Sequence, residues 1–212
     1  EVRSAAMTQY GFYFDSSRCT GCKTCDLACK DYNDLGSSVT FRRVYDVEGG
    51  TWNAGTDGTW TSTAMVYHVS NACNHCDNPA CAAACPQDAY VKEEATGFVH
   101  NDPSKCIGCG TCVEVCPYGA PRLGDGNVAV KCHGCAARVE EGNAPVCVEA
   151  FPLRCLEFGE IGQLRAKYGN SADIASLPDS SVTSPNLVVK SNDAAESAEA
   201  PSAWVANELE VA

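Results

Sequence analysis

The chain has 212 residues, sixteen cysteines and a formal net charge of −12. This length suits one domain or two small ones. The acidic charge argues against a nucleic-acid partner, since phosphate backbones attract basic proteins. No apolar run reaches the about 18 residues that a membrane-spanning helix needs, so we expect no direct membrane span. The first ten residues have neither the basic region nor the apolar stretch of a secretory signal, and we expect none there.

The N-terminal part begins with a predicted short strand over Tyr10 to Asp15, because aromatic and small residues alternate there. It leads into a first cysteine motif with the spacing C-x2-C-x2-C-x3-C, and Asp26 to Tyr32 can continue as a short helix. This first motif contains Cys19, Cys22, Cys25 and Cys29. The spacing is that of bacterial ferredoxins, in which three cysteines hold one iron–sulfur cluster and the fourth reaches a second cluster.

Residues 37–72 contain no cysteine. Two stretches, Phe41 to Val47 and Ala64 to Val69, are rich in β-branched and aromatic residues, and glycines lie between them. This pattern predicts an inserted β-hairpin with a long loop that carries Trp52 and Trp60. We interpret these tryptophans as packing or partner-contact residues rather than redox groups.

Three more cysteine motifs follow. The second contains Cys73, Cys76, Cys81 and Cys85, and Pro86 follows it. The third contains Cys106, Cys109, Cys112 and Cys116, with Pro117 next. The last contains Cys132, Cys135 and Cys147, with an expected exposed loop over residues 140–143. Zinc also binds C-x2-C pairs, but four cysteines in a short run followed by proline favour iron–sulfur clusters over a colourless zinc module.

The ferredoxin exchange of the fourth cysteine assigns the ligands to four sets. Set 2 is Cys29, Cys132, Cys135 and Cys147. Set 3 is Cys73, Cys76, Cys81 and Cys116. Set 4 is Cys85, Cys106, Cys109 and Cys112. Set 1 is Cys19, Cys22, Cys25 and a fourth ligand that the spacing would place at residue 151.

Residue 151 is phenylalanine, which cannot bind iron, although Pro152 follows it as proline follows Cys85 and Cys116. Aligning FPLRC with CPQDA and CPYGA places Cys155 opposite Ala89 and Ala120. We hypothesise that Cys155 replaces the missing ligand and that all four clusters are [4Fe–4S]. The alternatives are a [3Fe–4S] or otherwise atypical cluster, a non-protein ligand, or loss of this cluster.

The predicted fold is α+β, with two nested bacterial-ferredoxin-like units. Residues 7–36 and 128–168 form one unit, residues 73–127 form the second, and the hairpin region 37–72 is inserted between them. Residues 161–168 can form a short helix, and residues 169–212 form an extended acidic tail, of which Pro178 to Ala212 is too polar to be expected to fold alone. Trp204 is either an anchor on another subunit or part of a mobile end.

Other side chains near the cysteines suggest tuning rather than ligation. His75 and His133 lie inside motifs whose cysteine count is already complete, so we expect them to point outward or to influence potentials through hydrogen bonds. Basic residues either offset the cluster charge or form a solvated face: Lys23, Lys30, Lys105, Arg122, Lys131 and Arg138.

We find no catalytic triad, P-loop or dinucleotide motif. A four-cysteine cluster has no open coordination site, so we expect an electron conductor that is not catalytic alone.

The chain closely resembles the iron–sulfur (B) subunits of anaerobic dimethyl sulfoxide reductases, within the four-cluster subunits of molybdopterin oxidoreductases. The resemblance runs from about Tyr10 to Lys190. It depends on YGFYFDSSRCTGCKTCDLACKDYNDLG at 10–36, FRRVYD at 41–46, CNHCDNPAC at 73–81, CIGCGTC, CPYGAP, RVEEG, LEFG at 156–159 and PNLVVK at 185–190.

This resemblance implies a heterotrimer for anaerobic respiration. A membrane subunit would oxidise quinol, this chain would carry electrons, and a molybdopterin catalytic subunit would reduce the substrate. The resemblance also implies that sets 1 and 2 lie toward the molybdenum subunit, and that the complex is peripheral on the cytoplasmic membrane. Export with a signal-bearing catalytic subunit would place it on the extracytoplasmic face; the cytoplasmic face is the alternative. Rival interpretations are the same relay in a formate dehydrogenase, hydrogenase, or polysulfide or tetrathionate reductase, and a free polyferredoxin.

Overall fold

The computed structural model describes residues 8–197 and 199–211. Residues 7 and 212, which bound two of the predicted segments, lie outside the described residues. The strands are β1 (Tyr10–Asp15), β2 (Arg43–Gly49), β3 (Trp52–Ala54), β4 (Trp60–Ser62), β5 (Met65–Asn71), β6 (Tyr90–Lys92), β7 (Val99–Asn101), β8 (Arg122–Leu123), β9 (Ala129–Val130), β10 (Leu156–Glu160), β11 (Leu187–Lys190) and β12 (Trp204–Val205). The helices are α1 (Thr24–Tyr32), α2 (Ala80–Ala83), α3 (Thr111–Val115), α4 (Ala136–Glu140), α5 (Val146–Glu149), α6 (Ile161–Tyr168) and α7 (Glu208–Val211). The protein is therefore of mixed α and β structure, built from short elements.

The first strand is the centre of a three-stranded sheet. β1 pairs antiparallel with β10, from Tyr10↔Glu160 to Phe14↔Leu156, and parallel with β11. The predicted strand over Tyr10–Asp15 is confirmed, and it is buried along almost its whole length because Phe12 and Phe14 pack in the main core while Tyr13 packs against α6. The end of β1 and the start of β10 lie together, and the Asp15 N–H donates to the Cys155 carbonyl at 2.8 Å. This sheet places the start of the first motif beside the end of the last.

A second sheet has the order β12-β2-β5. β2 and β5 pair antiparallel over their whole lengths, from Arg43↔Asn71 to Gly49↔Met65. The connection between them is not a plain loop, because β3 and β4 pair within it around a turn that Asp57 closes by accepting from the Thr59 N–H at 3.1 Å. Trp52 and Trp60 therefore lie in strands, and each side chain is 64% exposed.

The acidic tail lies on the rest of the protein. β11 extends the first sheet, and β12 pairs with β2 through Trp204↔Glu48. The backbone groups of these two tail strands therefore pair with strands outside the tail, β1 and β2. The Trp204 side chain remains 54% exposed. Within the described ranges, none of the helices is long and apolar enough to cross a bilayer.

One buried cluster contains both apolar side chains and cysteines. Phe12 and Phe14 pack in it together with Val44, Val47 and Val69 of the second sheet, and its cysteines are Cys19, Cys25, Cys29, Cys147 and Cys155. A second, smaller cluster holds α6, the helix predicted over residues 161–168, against β1 and β11. In this second cluster the rings of Tyr13 and Tyr168 stack with centroids 3.7 Å apart. The cysteines therefore lie in the main core of the protein.

Tyr168→Phe is expected to lower the free energy of unfolding by about 1 kcal/mol. The substitution keeps the ring stack but removes the hydroxyl that donates to the Glu157 carboxylate. The loss is modest because that carboxylate is partly exposed and screened by water. Burial alone would raise the pKa of the Glu157 carboxyl, but the hydrogen bonds from Tyr168 and Lys167 outweigh it, and that pKa is lowered. The stability that this hydrogen bond adds to the folded protein is therefore fully present above the ordinary pKa of glutamate. It is lost as the pH falls through the lowered pKa of Glu157.

Guanidinium unfolding of the two proteins at neutral and at acidic pH measures this difference. Tyr32→Phe is the control, because Tyr32 is exposed and the contact described for it is that of its ring with Arg138. An equal loss in both variants, or a loss that does not shrink with acid, would contradict the assignment.

Candidate metal centres

The loop within each C-x2-C pair has the same backbone shape. The residue before the second cysteine is left-handed in all four motifs, with φ of 66° at Gly21, 44° at His75, 68° at Gly108 and 68° at Gly134. Backbone bent in this way turns successive N–H groups toward a common point and forms a concavity for anions, as at many iron–sulfur sites. At the last motif the Gly134 N–H indeed donates to the Cys132 thiol at 3.4 Å. The loops are therefore shaped to surround a negatively charged group.

Three cavities are each lined by one predicted ligand set. One of about 380 Å³ is lined by Cys73, Cys76, Cys81 and Cys116, which are set 3. One of about 390 Å³ is lined by Cys85, Cys106, Cys109 and Cys112, which are set 4. One of about 290 Å³ is lined by Cys29, Cys132, Cys135 and Cys147, which are set 2. In each of the three, the fourth cysteine comes from a different motif, as the exchange predicts.

The fourth ligands of sets 3 and 4 lie at the start of a recurring turn. In each turn the third residue after the cysteine is left-handed, at Asp88 (φ 47°) and Gly119 (φ 58°). The N–H one residue later donates to the cysteine, from Ala89 to Cys85 at 3.4 Å and from Ala120 to Cys116 at 3.5 Å. Each turn therefore aims a backbone N–H at the sulfur of the predicted ligand, and hydrogen bonds of this kind are among the factors that set cluster potentials.

The same turn occurs at residues 151–155 with its side chains exchanged. Arg154 is left-handed (φ 53°), as Asp88 and Gly119 are, but the first residue is Phe151 and the fifth is Cys155. Phe151 is buried in the main core. The backbone has therefore kept its shape while the cysteine occupies the other end of the turn.

Cys155 lies against the first motif. It is fully buried, as Cys25 is, and shares the main core with Cys25 and Cys19. The interaction between the two thiols lowers the pKa of Cys19 and, together with burial, raises that of Cys155. The structure thus brings Cys19, Cys25 and Cys155 together, with Cys22 at the exposed edge of the same motif.

The first motif replaces the recurring turn by a helix. α1 continues past Cys29, and the fourth residue beyond it is Asn33. The Asn33 side-chain amide lies 3.6 Å from the Cys29 sulfur and donates to the Cys29 carbonyl at 2.7 Å. Asn33 therefore supplies from its side chain the donor that Ala89 and Ala120 supply from the backbone. This role was not predicted from the sequence, although the position of Asn33 four residues after the cysteine was the available signal.

Burial favours the protonated form of several of these thiols in the absence of metal. It raises the pKa of Cys25 and Cys76 to about 11, and that of Cys81 and Cys132 to about 12. Iron binds the thiolate, so metal binding must release these protons and supply the compensating positive charge.

Buried donors without protein partners fit a sulfide-rich group. His75 is buried rather than outward-facing: its Nδ1 accepts from the Val99 N–H at 3.0 Å, and its Nε2 has no partner among the described residues, although the ring lines the set 3 cavity. Arg42 lines the set 2 cavity, and its Nε likewise has no partner there. Burial by itself would lower the pKa of Arg42, but the surrounding thiols outweigh it and raise that pKa. His133 instead lies 2.8 Å from the Asn33 amide oxygen.

The arrangement suits a cluster better than a zinc ion. Zinc draws four sulfurs to about 2.3 Å from itself. Within residues 8–197 and 199–211, no three His, Cys, Asp or Glu side chains converge closely enough to hold a single ion. The four cysteines of each cavity instead come from two motifs and surround a common space rather than a single point. The donor set, all sulfur with nearby N–H groups, is that of an iron–sulfur cluster.

Comparison with known protein families gives the same chemistry. Residues 64–161 match the family model of a 4Fe-4S dicluster domain, and residues 16–33 match that of a 4Fe-4S binding domain. Together with the sixteen cysteines, these matches identify the protein as an iron–sulfur protein.

Curated relatives match over almost the whole length of the protein. The B subunit of the anaerobic dimethyl sulfoxide reductase of Haemophilus influenzae is 51% identical over 97% of this chain and 100% of its own length. The corresponding B subunit of Escherichia coli is 49% identical over 96% of this chain and 99% of its own length. The iron–sulfur subunit of the nitrate-inducible formate dehydrogenase of E. coli is 32% identical over 68% of this chain and 52% of its own length. The protein therefore belongs to the family of iron–sulfur B subunits of anaerobic dimethyl sulfoxide reductases.

Proposed function

We propose that this protein is the electron-transfer subunit of a dimethyl sulfoxide reductase-like complex and relays single electrons through four [4Fe–4S] clusters. When bound, each cluster takes up and passes on one electron. The observation that carries this proposal is that the ligand sets are linked in pairs, by shared cores or by a bridging side chain, which supports a single order for the four.

The order of the sets follows from which residues touch. Cys25 of set 1 and Cys147 of set 2 pack in the same core. Lys131 reaches both Cys73 of set 3, at its sulfur, and Cys132 of set 2, at its carbonyl. Cys81 of set 3 and Cys112 of set 4 share a smaller core with Tyr90. The order is therefore set 1, set 2, set 3, set 4.

The two ends of this series are also where cysteines are exposed. Of the cysteines in the described part of the chain, only Cys22 and Cys109 are exposed, and they belong to sets 1 and 4. Each lies 3.4 Å from the hydroxyl of a threonine two residues on, Thr24 or Thr111. An exposed ligand at each end, with sets 2 and 3 more enclosed, suits entry of electrons at one end and exit at the other.

The proposal includes Cys155 as the fourth ligand of set 1. Its support is the recurring shape of the 151–155 turn and the packing of Cys155 on Cys19 and Cys25. The assignment of twelve further cysteines to sets 2, 3 and 4 is supported by the three cavities, each of which is lined by the four cysteines of one set.

The same contacts favour two nested ferredoxin-like units. Residues 7–36 and 128–168 would form one, since β1 pairs with β10 and α1 packs on α5. Residues 73–127 would form the other, since α2 packs on α3 and β6 pairs with β7. The hairpin region 37–72 and the tail 169–212 would then be additions to these units.

We infer a molybdopterin catalytic subunit as the partner at set 1 and a quinol-oxidising membrane subunit at set 4. The complex would be peripheral on the cytoplasmic membrane, with the extracytoplasmic face favoured by the resemblance. A relay in a formate dehydrogenase is the second candidate, but that relative matches only 68% of this chain, against 96–97% for the B subunits.

Purification of the protein from its source with its partners tests the proposal. We expect about sixteen iron atoms per copy of this subunit, four for each of four clusters. We also expect a copurifying molybdenum subunit and membrane subunit, and reduction of the iron–sulfur signals by a quinol analogue. Zinc in place of iron, or an iron-loaded protein that delivers electrons as a free monomer, would contradict it.

A further inference from the structure

Two positively charged side chains are buried within the series of ligand sets. Arg42 is 3% exposed and Lys131 is 4% exposed. In the part of the chain that the structure describes, neither forms an ion pair with a carboxylate. A buried charge without a counter-charge is strongly destabilising. Each cation therefore needs an anion nearby, and the groups around both are cysteines.

Arg42 lies between sets 1 and 2. Its Nη1 donates to the Ser70 hydroxyl at 3.1 Å, and that oxygen lies 3.4 Å from the sulfur of Cys25, a set 1 residue. The guanidinium also lines the set 2 cavity and lies 5.1 Å from the ring centroid of Phe12, which lines the same cavity. One guanidinium therefore faces both sets.

Lys131 lies between sets 2 and 3. Its ammonium group donates to the Cys73 sulfur at 3.4 Å, to the Cys132 carbonyl at 3.0 Å and to the Val99 carbonyl. It also lines the set 3 cavity. Among the basic residues that flank the motifs, Lys131 is thus bound directly to a predicted ligand.

The remaining junction, between sets 3 and 4, has no such cation among the described residues. The described residues that line the set 4 cavity include no basic or acidic side chain, and Tyr90 packs against the small core that contains Cys81 and Cys112. The protein therefore places positive charge at two of its three junctions and a neutral phenol at the third.

We propose that Arg42 and Lys131 set the reduction potentials of the clusters on either side of them, and that set 4 lacks this influence. The inference rests on the proposed relay of four clusters. Reduction adds one negative charge to a cluster, and net charge near a cluster is one of the factors that fix its potential. A buried cation stabilises the reduced form and raises the midpoint, because the local dielectric constant screens the attraction weakly. The electron is thereby favoured on sets 1, 2 and 3 relative to set 4.

The test is an EPR redox titration of the purified complex carrying Arg42→Met or Lys131→Met. Each substitution keeps much of the side-chain length and removes the charge. Arg42→Met is expected to lower the midpoints of sets 1 and 2, and Lys131→Met those of sets 2 and 3. A tenfold fall in the ratio of reduced to oxidised cluster corresponds to a shift of about 59 mV. One midpoint should therefore move in both variants and one, that of set 4, in neither.

Arg42→Lys and Lys131→Arg are the matched controls, since they keep the charge, and iron is counted in every protein. Unchanged midpoints in fully loaded methionine variants would overturn the inference. If a methionine variant loses iron, the glutamine variant at that position replaces it, because the amide keeps a hydrogen-bond donor. Iron loss confined to the neutral variants would support a requirement for charge, whereas equal loss in the charge-keeping controls would indicate packing and overturn it. Failure of the relay itself would appear separately, as wild-type protein without about sixteen irons.

Discussion

Cys155→Ala is expected to remove one iron atom or a whole cluster, about one to four of the about sixteen irons expected per subunit. Alanine leaves the corner iron of set 1 without a protein ligand, and among the described residues no other thiol lies at that end of the 151–155 turn. A cluster that loses only its corner iron becomes a three-iron cluster, which gives an EPR signal in the oxidised state. Iron analysis and EPR of the oxidised complex measure both outcomes.

The double substitution Phe151→Cys/Cys155→Ala is the matched control. It recreates the sequence pattern of the other two turns, in which cysteine comes first and a buried alanine comes fifth. The iron content should return toward that of the wild type, while the cavity left by the phenyl ring lowers stability by about 3–5 kcal/mol. Wild-type iron content and EPR signals in the single variant would eliminate Cys155 as a ligand.

Gly134→Ala is expected to destabilise the loaded protein by about 2–5 kcal/mol and to release iron from set 2 first. The left-handed backbone costs a non-glycine residue about 1–2 kcal/mol. Overpacking adds about 1–3 kcal/mol, because a Cβ at this position would lie 2.6 Å from atoms of the Phe98 ring. Phe98 is fully buried among Tyr10, His75 and Phe158 and cannot easily move away. The rate of iron release in guanidinium and the thermal unfolding midpoint report the effect.

Gly126→Ala separates the two causes. Gly126 has nearly the same φ, 71°, but an added Cβ there meets nothing within 4 Å among the described residues. It should therefore show only the smaller cost of the left-handed backbone and no selective loss from set 2. Equal behaviour of the two variants would show that contact with Phe98 is unimportant.

The groups of cysteines that line the three cavities could be predicted from local spacing, because each C-x2-C pair is fixed by its own short loop. The exchanged cysteines Cys85 and Cys116 followed from the known chemistry of such pairs, and Cys155 from alignment of three short turns. These inferences needed no knowledge of distant contacts. The strand at Tyr10–Asp15 and the helix at residues 161–168 were also visible in their local patterns.

Features that depend on distant contacts could not be predicted in this way. Nothing in the composition of the tail indicates that Leu187–Lys190 pairs with β1, because the partners lie far apart in the sequence. Arg42 reads as an ordinary charge in a strand-like segment, and only the packing of Phe12, Ser70 and Cys147 shows that it is buried. The tryptophans of β3 and β4 were assigned to a loop because the short turn around Asp57 is a weak pattern.

The pairing of β1 with β10 has a consequence for maturation of the protein. The proposed set 4 would be complete once residues 85–112 have been synthesised, whereas the proposed set 1 would join Cys19 to Cys155 and would have to wait until residue 155. Closing the longer segment costs more chain entropy, although this cost grows slowly with length. The cysteines of the first motif, which are synthesised before those of the other three, would then be among the last to receive their full complement of iron.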